Sequence, residues 1–159
     1  MSKKYLVTGG AGFIGGHLTE ALVEKGHEVV VLDDLSTGHE KNLEAVADRI
    51  RFVKGSITDL DLMRREFEGV DCVFHQAALA SVPRSIDDPL ASNEVNINGT
   101  LKVFLAAKEQ GVRRVVYAAS SSLYGDTPTL PKIETMTPTP QSPYAVTKLA
   151  GEHYMRTFN

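Results

Sequence analysis

The run Gly9-Gly10-Ala11-Gly12-Phe13-Ile14-Gly15 follows the apolar stretch Tyr5-Leu6-Val7-Thr8 and opens a segment in which Ile14, Leu18, Ala21 and Leu22 recur at helical spacing. Strand, glycine turn and helix in that order confine the start of the chain to a βα unit, with the helix N-terminus at the carboxyl end of the strand. The run contains both G-x-G-x-x-G, from Gly10, and G-x-x-G-x-x-G, from Gly9. Glycines let the backbone approach a ligand without a Cβ in the way, and the last lets helix and sheet pack closely. Backbone N–H groups and the positive helix end then suit a pyrophosphate.

The same alternation continues along the chain. Glu28 to Leu32, Arg51 to Val53, Asp71 to His75 and Val115 to Ala119 read as further strands. Helices are expected over Phe13 to Lys25, Glu40 to Ala47, from a cap at Asp59 to about Phe67, and over Leu90 to Gln110, with a last one running from Tyr144 to the end. The segment around Pro83 and Pro89 reads as loop, as does Gly125 to Pro143 with its prolines at 128, 131, 138, 140 and 143. Strands separated by helices predict an α/β fold, a doubly wound and mostly parallel sheet.

Composition narrows the function classes. The 159 residues suit one domain, and 42% hydrophobic with 23% charged residues suit a packed core. A net charge of −3 offers no basic surface for nucleic acid or anionic lipid, and no apolar run is long enough to span a bilayer. Gly9 and Gly10 break the N-terminal apolar stretch too early for a signal-peptide core. The single cysteine, Cys72, sits in an apolar run and reads as a buried thiol, which places the chain in the cytoplasm. His75 reads as a core imidazole, and the other histidines show no spacing that assembles a metal site.

Asp33 follows Gly15 by eighteen residues at the end of the second strand, near the offset of an acid that accepts ribose hydroxyls. A carboxylate there repels a 2′-phosphate and favours NAD over NADP; the alternative is that Asp33 and Asp34 only cap a loop. Tyr144 and Lys148 stand at i and i+4, on one face of the last helix. An ammonium beside a phenol stabilises phenolate, which makes Tyr144 a candidate general base, while a surface pair is the plainer reading. Ser120, Ser121 and Ser122 lie at the carboxyl end of the fifth strand, where open α/β sheets place ligands and where serines also serve in turns.

Together Thr8 to Gly15, Asn96, Ser120 and Tyr144-Ala145-Val146-Thr147-Lys148 resemble the extended short-chain dehydrogenase/reductase family. His75 to Ala78, Ser81 to Ser85, Ala119 to Gly125 and Ser142-Pro143-Tyr144 resemble its nucleotide-sugar 4-epimerases, those acting on UDP-N-acetylglucosamine or UDP-glucose. The resemblance implies a Rossmann domain over residues 1–159 that binds NAD, with the carboxyl-terminal substrate region lying beyond it. It implies Tyr144 as base, Ser120 as catalytic hydroxyl and Lys148 as the residue that holds nicotinamide ribose. Cofactor contacts follow at Gly9, Gly12, Phe13, Ile14, Gly15, Asp33, Ser36, Thr37, Gly38, Ser56, Ile57, Gln76, Ala77, Ala78 and Asn96, although Ser56 stands where an aspartate is commoner. Substrate contacts are expected from Ser81, Ser121 and Ser122. The reaction implied is inversion at C4 of a UDP-sugar through a 4-keto intermediate. Related 4,6-dehydratases carry an Asp-Glu pair where this chain has Ser121-Ser122, which favours epimerase. Two alternatives stay open, a stand-alone NAD-binding module without turnover and a dehydratase or reductase. The resemblance also implies a homodimer through the helices of residues 90–110 and 144–159.

Overall fold

The structure, a computed structural model, describes residues 2–158. Its strands are β1 (Lys4–Thr8), β2 (Glu28–Asp33), β3 (Arg51–Lys54), β4 (Cys72–His75) and β5 (Arg114–Tyr117). The helices are α1 (Phe13–Glu24), α2 (Leu60–Glu66), α3 (Val82–Asp87), α4 (Pro89–Asn93), α5 (Thr100–Glu109) and α6 (Pro143–Thr157). The expected last helix is thus traced to Thr157, and its expected final residue, Asn159, lies outside the described residues.

All five strands pair in parallel, in the order β3-β2-β1-β4-β5. The chain lays down β1, β2 and β3 outward in one direction and then returns to place β4 on the other side of β1. Strand order therefore reverses between β1 and β4, and ligands of open α/β sheets bind beyond the carboxyl ends at such a point.

The alternation of β2 shows why the sheet is covered on both sides. Val30 and Leu32 join Leu6, Met63, Phe67, Val73 and Val103 in one buried cluster, while Val29 and Val31 join Val7, Leu22, Leu43 and Val46 in the other. Successive side chains of a strand point to opposite faces, so an unbroken apolar strand needs a layer on each.

Several expected elements differ. Residues 40–47 were expected to form an α-helix; Glu40–Arg49 winds instead as a 3₁₀ segment, held at its start by Asn42 Nδ2, which donates to the Ala11 carbonyl at 2.7 Å. The expected loop around Pro83 contains α3, because a proline in the first helical turn gives up no needed N–H, and Ser81 caps it by accepting from Arg84 N–H at 3.2 Å. The expected helix of residues 90–110 starts at Pro89 and passes through a π-helical stretch, Glu94–Gly99, before α5. The fourth strand begins at Cys72 and the fifth ends at Tyr117, leaving Ala118 and Ala119 in the loop that follows. A 3₁₀ turn over Ser121–Tyr124 occupies the segment after it.

Candidate functional site

The turns after β1 and β4 meet at the point where strand order reverses. Gly9, with φ of +69°, packs so tightly there that a Cβ would lie 2.6 Å from the Ala77 nitrogen. Gly15 presses on the same turn, where a Cβ would reach 2.7 Å from Gly10 Cα and strike the Gly9 carbonyl oxygen. Only glycine fits either position, and the turn is tied down by its own peptides, Gly9 N–H donating to the Leu32 carbonyl at 2.8 Å and Gly12 N–H to the Gly9 carbonyl at 3.1 Å. Gly12 at the N-cap of helix α1 supplies no side-chain cap, so the first N–H groups of the helix face outward with no side-chain acceptor.

Those N–H groups open into a cleft of about 400 Å³ along the carboxyl ends of the strands. Of the sequence-predicted residues it gathers Gly9, Gly12, Phe13, Ile14 and Gly15 from the glycine turn, and Asp33, Ser36, Thr37 and Gly38 from the end of β2. Ile57, Gln76, Ala77 and Ala78 line its middle, and Tyr144 with Lys148 its far end. Phe13 and Ile14 are largely exposed, 78% and 62%, at its rim.

Asp33 is 8% exposed and spans the mouth of the glycine turn. One carboxylate oxygen accepts from Ala11 N–H at 2.9 Å, the other from Leu35 N–H at 2.8 Å. Leu35 holds a left-handed φ of 60°, rare for a branched residue, to bring its N–H round. A carboxylate offers about four acceptor positions, so Asp33 keeps capacity for further donors in the cleft.

At the far end, Ser142 caps α6 by accepting from Ala145 N–H at 3.1 Å. Tyr144 lies in the first helical turn, where its N–H has no helical partner, and Ser85 of α3 accepts it at 3.0 Å. Lys148, one turn on, is 4% exposed and donates to the Ala118 carbonyl at 2.9 Å. Burial pushes its pKa down to about 8.

Other predicted residues stand outside the lining. Asn96 is buried behind it in the π-helical stretch; its Oδ1 accepts from Leu79 N–H at 2.8 Å and its Nδ2 donates to Thr147 Oγ1 at 3.2 Å. Thr147 in turn donates to the Tyr144 carbonyl at 2.7 Å, so one asparagine ties the loop after β4 to the helix of Tyr144. Ser56 turns to its own loop and accepts from Thr58 Oγ1 at 2.9 Å. Ser81 caps α3, Ser120 caps the 3₁₀ turn and bonds Ser122 Oγ at 2.8 Å, and Ser121 is exposed. Sequence reasoning missed Gly55 and Ala118, which the strand-end rule would have found just past β3 and β5, and Leu79 and Val95, for which no local signal exists.

His75, at the end of β4, does not line the cleft. It is 1% exposed, with Nδ1 2.7 Å from Thr8 Oγ1 and Nε2 2.9 Å from Thr100 Oγ1. Burial first, and the nearby Lys148 charge second, lower its pKa to about 3. Among the described residues, no three His, Cys, Asp or Glu side chains gather to hold a metal ion.

A model of the NAD dependent epimerase/dehydratase family matches residues 5–159. The chain belongs to this family. Within the family, it is similar to the UDP-glucose 4-epimerase of Mycolicibacterium smegmatis, 46% identical over 158 residues that cover 96% of this chain and 50% of that protein. Among solved structures, the UDP-N-acetylglucosamine 4-epimerase of Methanobrevibacter ruminantium, in complex with UDP-N-acetylmuramic acid, superposes with a TM-score of 0.93 at 39% identity, covering 99% of this chain and 50% of that one. A dTDP-glucose 4,6-dehydratase of Streptomyces venezuelae with NAD bound superposes equally, TM-score 0.93 at 38% identity over 98% of this chain and 51% of that one. The chain spans about half the length of the curated relatives it matches. The shared epimerase and dehydratase scaffold means that fold alone does not separate the two reactions.

Proposed function

We propose that this chain is the NAD-binding and acid–base half of a UDP-sugar 4-epimerase. The observation that carries the reading is the cleft itself: a close-packed glycine turn and a helix N-terminus without a side-chain cap at one end, Asp33 beside them, and Tyr144 with Lys148 at the other. These features fit a dinucleotide. Phe13 and Ile14 would hold the pyrophosphate with their backbone N–H groups, Gly9, Gly12 and Gly15 would let it approach the turn, and Asp33 would accept the adenosine ribose hydroxyls with its free lone pairs. Ser36, Thr37, Gly38, Ser56 and Ile57 would enclose the adenosine, and Gln76, Ala77, Ala78 and Lys148 the nicotinamide riboside, with Asn96 supporting from behind.

Bound NAD supplies a reversible hydride store, which lets the sugar pass through a 4-ketone and return with C4 inverted. Tyr144 takes the proton from the C4 hydroxyl and returns it, with Ser120 orienting the oxygen. Lys148, whose ammonium lies 6.0 Å from the Tyr144 ring centroid, would hold the nicotinamide ribose, and Ser81, Ser121 and Ser122 contact the sugar nucleotide. Ser121 and Ser122 favour epimerase over dehydratase, since elimination of water across C5 and C6 needs an acid and a base beside the hydroxyl, and serines supply neither.

Exposed Leu90, Val146 and Met155 support a homodimer through the helices of residues 90–110 and 144–159. The buried lone thiol of Cys72 suits a reducing compartment, the cytoplasm. The test is incubation with NAD and UDP-glucose or UDP-N-acetylglucosamine, with products counted by NMR. We expect the 4-epimer from a polypeptide carrying this segment at the relatives' full length and none from the 159 residues alone. A 4-keto-6-deoxy product would assign the dehydratase instead.

A further inference from the structure

We propose that Tyr117 is a positioning residue whose ring face seats the Lys148 ammonium at the floor of the cleft. Lys148 Nζ lies 4.9 Å from the centroid of the Tyr117 ring and 6.0 Å from that of Tyr144. Among the described residues its one hydrogen-bond acceptor is the Ala118 carbonyl, and no carboxylate pairs with it. A buried ammonium with a single neutral acceptor needs further compensation, and an aromatic face within about 6 Å supplies it electrostatically.

The ring is fixed from three sides. His75, itself pinned between two threonine hydroxyls, lies tilted by 36° against it at a centroid distance of 5.6 Å, and Phe104 of α5 meets the ring edge-on at 6.0 Å. The third side is α6. Gly151 sits three residues beyond Lys148, and a Cβ there would come within 2.5 Å of Tyr117 Cζ and strike its hydroxyl. Gly151 is thus the clearance that lets α6 settle on Tyr117 and carry Lys148 over its face. The titratable groups facing this arrangement are His75 from β4, Tyr144 and Glu152 from α6, and Tyr117 itself, whose pKa burial raises.

The weight of this assignment for catalysis rests on the proposed role of Lys148 at the cofactor; the seat does not. The experiment titrates the ε-carbon resonance of Lys148 in ¹³C-lysine-labelled protein, assigned with Lys148→Arg, in the wild type, Tyr117→Phe and Tyr117→Leu. Phe keeps the face and leaves the Lys148 pKa where it is. Leu removes the face and lowers that pKa by about one unit. An unchanged or raised pKa in the Leu variant overturns the proposal. Should that variant fail to fold, the wild type still decides: the Lys148 ε-methylene protons lie upfield of those of the other lysines if the ring is beneath them, and among them if it is not. NAD calorimetry on the same samples separates the two ideas. A pKa that falls in a wild-type background binding no NAD retains the seat and refutes the cofactor reading. NAD binding with a Lys148 pKa indifferent to Leu refutes the seat.

Discussion

Asp33 joins the glycine turn to the loop after β2, so replacing it probes stability and the cleft together. In Asp33→Ala the Ala11 N–H, wholly buried, loses a charge-assisted acceptor, a loss of about 1.5–3 kcal/mol. The Leu35 N–H is partly exposed and regains water, so its loss is smaller, about 0.5–1.5 kcal/mol. The sum is about 3 kcal/mol. With a urea m-value of about 2 kcal/mol/M, the unfolding midpoint falls by about 1.5 M. Asp33→Asn keeps one acceptor but turns an NH₂ toward the other N–H, and the midpoint falls by about 1 M. Equilibrium urea unfolding followed by far-UV circular dichroism measures both. Midpoints within about 0.25 M of wild type, roughly 0.5 kcal/mol, would refute the inference that this carboxylate holds the turn closed.

Gly15→Ala forces a Cβ into the Gly9–Gly10 backbone, which cannot yield like a flexible side chain; we expect about 2–4 kcal/mol of lost stability by the same unfolding assay, with Gly26→Ala, whose Cβ would meet nothing within 4 Å, as a comparison limited to the strain of its positive φ. His75 binds its proton only in the unfolded chain between its ordinary 6.5 and about 3, so its contribution is full above pH 6.5 and is lost as pH falls toward 3. Within that window it adds at most about 1.4 kcal/mol per pH unit to the slope of stability against pH, and His75→Gln removes that share while the carboxylates keep theirs. Ser85→Ala leaves the Tyr144 N–H and the Val82 carbonyl without their partner and should lower stability by about 1–2 kcal/mol, read by urea unfolding.

The parallel sheet and the glycine turn were legible because their causes are local. Apolar strands covered on both faces read as unbroken runs, and a glycine turn between strand and helix has few other uses. What escaped depends in part on pairs of residues far apart in sequence and in part on local side-chain caps. Pro83 looked like a breaker until Ser81 capped the turn around it, and the 3₁₀ path of residues 40–49 follows from Asn42 reaching the Ala11 carbonyl across 31 positions. The left-handed Leu35 has no signal in its own side chain; it follows from where Asp33 needs a donor. Thr147, Ser85 and Tyr117 act through contacts with Asn96, Tyr144 and Lys148 that periodicity does not encode.

The cleft between the glycine turn and Lys148 has the shape and the donors to take NAD. Isothermal titration of NAD into the folded 159-residue chain tests it most directly, with NADP as the control. We expect saturable binding at one site per chain, weaker for NADP because its 2′-phosphate meets Asp33 and lost when Gly15 becomes alanine. A folded chain that takes up no NAD, or prefers NADP, contradicts the account.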